Sequence, residues 1–268
     1  MENAKNNIIE LKNLVKSFNG ITAVDNISLS VKKSEIFAFL GPNGAGKTTT
    51  IKILTTLLAQ TSGTAFVNGY DVSKEKNMVR GSLGIVFQDP SVDDDLTAYE
   101  NMEFHGVLYG VPPQTRKARI EQLLKFVELW NRKGDLVKKF SGGMKRRLEI
   151  ARSMVHHPKV MFLDEPTLGL DPQTRKNIWD YIKKLNKDEG MTVFFTTHYI
   201  EEAEKAADTV AIIDRGKIMR HGTPSQLIKA TGSSSLEDAF LKLTGRSIRE
   251  EEWSNIDSLR LSKKMFGR

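Results

Sequence analysis

Four short apolar runs, each ending in polar residues, constrain this 268-residue chain more than anything else in it. Ile36–Leu40 runs into a glycine-rich loop, and Gly84–Phe87 ends at Gln88. Val160–Leu163 ends at Asp164-Glu165, and Val193–Thr197 ends at His198. Near-continuous apolar runs of this length fit strands buried on both faces of a parallel sheet. Helical patterns lie between them, so the fold class is α/β. In such sheets ligands sit beyond the carboxyl ends of the strands. All four runs therefore deliver their polar residues to one edge.

Other segments predict what surrounds that sheet. Ile27, Leu29 and Val31 alternate with Ser28 and Ser30, and Thr64–Val67 precedes Asn68-Gly69, a strand and tight turn. Together these predict an N-terminal antiparallel β subdomain. Ile120, Leu123, Leu124 and Val127 fall on one helical face, with Pro112-Pro113 ahead and Gly134 behind. This predicts an α-helical subdomain inserted at about 95–155. Ser235-Leu236-Glu237-Asp238 resembles a capping box, and Leu236, Ala239, Phe240 and Leu243 form an apolar face ending at Gly245. The expected organisation is one main domain over 1–228 and a helical extension and tail over 229–268. Within the latter, Arg246–Arg268 is polar and weakly periodic.

Bulk properties exclude some classes. No apolar run approaches the roughly 20 residues that span a bilayer, and Met1–Asn7 is polar, unlike a signal peptide. Cysteine is absent, which removes disulfide and thiolate–metal chemistry. The net charge of +7 suits a phosphorylated ligand, nucleic acid or anionic lipid, and equally a plainly basic surface.

Gly41-Pro42-Asn43-Gly44-Ala45-Gly46-Lys47-Thr48 matches G-x-x-x-x-G-K-[ST] in full. Glycines let backbone N–H groups nest around phosphate oxygens, and a helix starting near Lys47 points its positive end at the same anion. Lys47 is expected at the β- and γ-phosphates, the Thr48 hydroxyl at Mg²⁺ and Thr49 at the α-phosphate.

Two acids at a strand end, taken alone, make a solvated turn. Beside the loop they acquire roles. Neighbouring strand residues face opposite ways, so Asp164 fits the Mg²⁺ shell and Glu165 the base that orients the attacking water. Gln88 fits the metal or the water, and His198 the γ-phosphate and the water. The catalytic candidates are thus Glu165, His198 and Gln88, and the metal candidates Thr48, Gln88 and Asp164. His105, His156, His157 and His221 read as surface residues.

Ser141-Gly142-Gly143 reads first as the N-cap of a helix through Met144–Met154. Its exposed N–H groups and the Ser141 hydroxyl also make a second anion site. Lys145, Arg146 and Arg147 deepen the positive potential or form a solvated face, the latter expected for at least two of them. Two phosphate-binding helix ends in one chain pose a question that a single site does not answer.

The chain resembles the nucleotide-binding subunit of ATP-binding cassette (ABC) transporters over about Ile8 to Leu227. Gly41–Thr48 resembles Walker A, Gln88 the Q-loop, Phe140–Met144 the signature, Val160–Glu165 Walker B, Gly169-Leu170-Asp171 the D-loop and His198 the switch histidine. Phe18, by itself a core residue, stands where the family stacks an aromatic on adenine. The stretches FSGGMKRRLEIA, THYIEEAEKAADTVAIIDRGKI and SLEDAFLKLTG resemble the daunorubicin-resistance-type exporters. Met144 replaces the usual signature glutamine, which removes an amide, and Phe140 replaces leucine.

The resemblance implies a P-loop NTPase (RecA-like) core and hydrolysis of Mg²⁺–ATP. It also implies a head-to-tail dimer in which Ser141, Gly142, Gly143, Met144 and the D-loop residue Asp171 complete the partner subunit's site. A homodimer is the expected form, docked through the helical insertion on a separate transmembrane permease. Its expected place is cytoplasmic, peripheral on the inner face of the cell membrane, with no nucleic acid expected. The alternatives are a soluble ABC-type ATPase acting on nucleic acid or the ribosome, and a P-loop kinase. The first lacks its usual coiled coil or second cassette here; the signature, Glu165 and His198 oppose the second.

Overall fold

The computed structural model describes residues 6–245; the tail expectation for Arg246–Arg268 lies outside them. Strands β1 (Asn7–Phe18), β2 (Ile21–Lys32), β4 (Ser62–Val67) and β5 (Tyr70–Asp71) form an antiparallel sheet in the order β2-β1-β4-β5. Its hairpins turn at Asn19-Gly20 and Asn68-Gly69, where both residues have positive φ (44° and 85°, 52° and 82°). That geometry matches the right-handed twist of paired strands and selects Asn-Gly. In β2, Ile27, Leu29 and Val31 are buried while Ser28 and Ser30 face water, as the alternation predicts.

The second sheet has the order β10-β9-β3-β8-β7-β6. It contains β3 (Ile36–Leu40), β6 (Leu83–Val86), β7 (Val160–Asp164), β8 (Thr192–Thr197), β9 (Thr209–Asp214) and β10 (Lys217–Gly222). The first five in chain order are parallel, and β10 closes one edge antiparallel to β9. Every residue of β3, β7 and β8 is buried. The reason is visible in alternate residues. Ala38, Leu40, Met161, Leu163, Val193 and Phe195 enter one apolar cluster. Phe37, Phe39, Val160, Phe162 and Phe194 enter another on the opposite face. With both faces covered, no polar alternation is needed.

The helices are α1 (Lys47–Leu54), α2 (Lys76–Ser82), α3 (Ala98–Leu108), α4 (Pro113–Phe126), α5 (Gly142–Ser153), α6 (Pro172–Glu189), α7 (Ile200–Ala206), α8 (Pro224–Thr231) and α9 (Leu236–Thr244). Ile120, Leu123, Leu124 and Val127 are fully buried and belong to the same cluster as one face of the parallel sheet. The helical insertion is therefore built onto the sheet's own core. At α9 the expected capping box is half present. Ser235 Oγ accepts from Asp238 N, but the Asp238 carboxylate accepts from Ser234 N, one residue before the cap. Among the described residues no helix is long and apolar enough to cross a membrane.

Two histidines depart from the surface reading. His105 and His156 are half-buried against Tyr109, whose ring stacks on His156 at 3.8 Å and lies 4.7 Å from His105. His157 and His221 are exposed. Burial, with the Arg152 and His156 charges adding to it, holds His105 down to about 3, and burial also lowers His156. Below about pH 6.5 the unfolded chain takes up a proton that folded His105 refuses, so stability falls as pH drops toward 3. From pH 7 to pH 5 this one group is expected to remove about 2 kcal/mol. Denaturant unfolding at the two pH values checks it; His105→Phe, which keeps a ring beside Tyr109, should flatten the slope.

Candidate functional site

From Leu40 the chain passes at once through Gly41–Gly46 into α1. Gly46 has φ 102°, and a Cβ there would lie 2.4 Å from the Ala23 carbonyl oxygen, so a side chain is excluded. No side chain caps α1, which leaves its first N–H groups to a ligand. Lys47 is buried; its Nζ donates to the Gly41 and Pro42 carbonyls at 2.7 and 3.1 Å and lies 3.4 Å from Glu165 Oε1.

Asp164 is the last residue of β7. Its Oδ1 accepts from Thr48 Oγ1 at 3.2 Å and from Thr196 Oγ1 at 2.6 Å. Glu165 has already left the strand, with φ 49°. A non-glycine residue in that region costs on the order of 1 kcal/mol and persists only where surroundings hold it. Here Glu165 N donates to both the carbonyl and the hydroxyl of Thr196 at 3.2 and 3.0 Å. The expected strand alternation therefore stops before Glu165. Both acids meet the start of α1, Asp164 at Thr48 and Glu165 at Lys47.

His198 Nδ1 lies 3.0 Å from Glu165 Oε2, the bond of an N–H donating to a carboxylate. Burial raises the Glu165 carboxyl, but the His198 bond and the Lys47 charge together outweigh it and hold it below the ordinary range. The carboxylate is thus held ionised beside the Gly41–Thr48 loop, in the form that can accept a proton.

The Ser141 element sits on other partners. Ser141 caps α5, accepting from Met144 N at 3.3 Å. A Cβ on Gly143 would lie 2.6 Å from Thr174 Cγ2. Thr174 in turn donates through N and Oγ1 to Asp171, the cap of α6, at 3.0 and 2.6 Å. Glycine is thus required for α5 to approach the Asp171 cap. Ser141 and Gly142 are exposed, and Met144 Sδ lies 4.0 Å from Arg132 Nη1.

Three groups around the site have surroundings that the sequence does not show. Phe18 is 43% exposed rather than in the core, with Lys16 Nζ 4.7 Å from its ring centre. Of the basic residues after Met144, Lys145 and Arg147 stay partly exposed beside exposed acids, and Arg146 alone leaves the solvated face. Lys145 pairs with Asp94, Arg147 with Glu128, and Arg146 is buried. Finally, Gln88 is exposed and is anchored through its carbonyl, which accepts from Arg146 Nη2 at 2.8 Å.

Arg146 also donates to the Phe87 carbonyl at 2.6 Å and to buried Glu149 at 3.2 Å, fastening the Gln88 loop to α5. Arg146→Ala is expected to cost ~2 kcal/mol by removing one charged partner of buried Glu149, which keeps its bonds from Ser91 N and Oγ, checked by denaturant unfolding. Sequence reasoning misses Arg146 and Thr196. The signal for Thr196 is the pair of threonines closing an otherwise apolar run.

A strand–loop–helix phosphate cradle beside two strand-end carboxylates and a histidine defines a P-loop nucleoside triphosphatase. A family profile described as ABC transporter matches residues 24–168. The linearmycin resistance ATP-binding protein of Bacillus subtilis is 40% identical over 243 residues, covering 91% of this chain and 76% of that protein. The daunorubicin/doxorubicin resistance ATP-binding protein of Streptomyces peucetius is 44% identical over 228 residues, covering 85% and 69%. Among solved structures, an ATP-binding subunit of an ABC transporter superposes with TM-score 0.80 at 26% identity, over 88% of this chain and 99% of that one. A dimeric ATP-binding cassette in a post-hydrolysis state, bound to ADP and Pi, gives 0.73 at 29% identity, over 80% and 98%. The chain belongs to the ABC transporter family, as an ATP-binding subunit that hydrolyses ATP.

Proposed function

We propose that this chain powers export through a separate transmembrane permease, and that it does so as a head-to-tail dimer. The observation that carries the dimer is the pair of helix N-termini. Lys47, Asp164, Glu165 and His198 gather at the start of α1, while Ser141 and Gly142 stand exposed on α5 against the Asp171 turn. Each chain then contributes two half-sites. ATP lies between Gly41–Thr49 of one subunit and Ser141–Met144 of the other, with Phe18 stacked on adenine and Asp171 at the interface.

The oxygen pair Thr48 Oγ1 and Asp164 Oδ1, 3.2 Å apart, fits a hard cation that takes its other ligands from phosphate and water. Thr48 and Asp164 would hold Mg²⁺, with Gln88 approaching from its loop; the ion would neutralise charge on the phosphates. Lys47 holds the β- and γ-phosphates, Glu165 takes a proton from the attacking water, and His198 orients that water and the γ-phosphate.

Export, rather than import, is supported by the resistance proteins among the relatives and by the Nod factor export ATP-binding protein of Ralstonia nicotianae, 39% identical over 221 residues, covering 82% of this chain and 68% of that protein. The helical insertion presents exposed Phe104, Val107 and Leu108 on α3, a face suited to a permease. That docking places the chain at the cytoplasmic face of the membrane. Pull-down from detergent-solubilised membranes tests the assignment. An integral membrane protein is expected; ribosomes or DNA in its place would favour a soluble ATPase of the same family.

A further inference from the structure

We propose that Arg175 and Tyr199 are positioning residues that tie His198 to the turn at Gly169–Asp171. The inference deepens the function proposed above and rests on the role given there to His198. Tyr199 follows His198 directly, and its ring centre lies 4.1 Å from the imidazole. The Arg175 guanidinium carbon lies 4.3 Å from the centre of the Tyr199 ring, and Nη2 donates to the Tyr199 hydroxyl at 3.3 Å. The Nε of the same group donates to the Leu170 carbonyl at 2.8 Å. One planar guanidinium therefore grips the turn with one edge and Tyr199 with its face and another edge.

A second clasp runs alongside. The Glu202 carboxylate accepts from Thr167 Oγ1 and, through its other oxygen, from Thr197 Oγ1 at 3.0 Å. Thr197 Oγ1 accepts in turn from Tyr199 N at 2.9 Å. The segment carrying His198 is thus bonded twice to residues 167–170. Leu170 lies beneath Gly142, since a Cβ there would sit 3.8 Å from Leu170 Cδ2. A shift of this turn moves Leu170, and with it the guanidinium, Tyr199 and the face on which His198 rests. The role needs a fork that is also a flat cation, which lysine cannot supply.

Steady-state ATP hydrolysis by the full chain tests this in wild-type and His198→Ala backgrounds. Arg175→Ala, Arg175→Lys and Tyr199→Ala are expected to lower kcat about tenfold with KM for Mg²⁺–ATP within about twofold. Tyr199→Phe, which keeps the ring, should retain most activity. In the His198→Ala background, Arg175→Ala should change kcat by less than about twofold, because the two act through one group. Unchanged kcat in Arg175→Ala and Tyr199→Ala beside an impaired His198→Ala overturns this inference alone. So does a tenfold loss that persists without His198. A fully active His198→Ala overturns the role of His198 and this inference with it. If Arg175→Ala does not fold, the Tyr199→Phe and Tyr199→Ala pair decides.

Discussion

Glu165→Gln is expected to lower steady-state ATP hydrolysis at least ~100-fold, the loss typical of removing a general base, and to trap an ATP-bound dimer. The amide keeps the size of the carboxylate and can still meet His198 and the backbone around Thr196. It cannot accept a proton from water. It also removes a negative charge from the buried pocket proposed to receive the γ-phosphate, so ATP should bind no less tightly. Binding without turnover accumulates the ATP-bound state. Size-exclusion chromatography with Mg²⁺–ATP should then show a dimer that the wild-type chain loses as it hydrolyses. An unchanged hydrolysis rate would sink the assignment of Glu165 as the base.

Much of this site is legible in the sequence because the fold brings strand ends together whatever lies between them. Leu40, Asp164 and His198 are separated by long stretches of chain, yet β3, β8 and β7 are neighbours in the sheet. Apolar runs with polar ends encode that edge directly. Strands β9 and β10 escape such a reading for a local reason. Their hairpin turns at Arg215-Gly216, with φ 46° and 79°, and arginine is not a residue that announces a left-handed turn. Glu165 shows the limit of periodicity: alternation describes a strand, and the positive φ that aims this carboxylate at Lys47 begins where the strand ends. Arg146 shows another limit. A basic residue in a basic run reads as surface, and only the packing of α5 against the Gln88 loop reveals it as a buried brace. The imidazoles of His105 and His156 are likewise hidden, since nothing local says that Tyr109 will cover them.

Lys47→Ala is expected to weaken ATP binding by ~10–100-fold, the worth of a hydrogen bond to a charged group, and to abolish measurable turnover. In the structure the ammonium is held by the Gly41 and Pro42 carbonyls and by Glu165. Phosphate oxygens can replace these partners, so in the proposed site the cation is ready at the place where the anion must arrive. Without it, two carbonyls and a carboxylate face the incoming phosphates, and repulsion replaces attraction. The loss should depend on the phosphate chain. With Lys47 at the β- and γ-phosphates, as proposed above, affinity for ATP and ADP should fall while affinity for AMP stays within about twofold. Calorimetric titration with the three nucleotides makes the comparison. An equal loss for AMP would mean that the substitution had collapsed the loop, and unaltered ATP affinity would contradict the assignment of Gly41–Thr48 as the phosphate cradle.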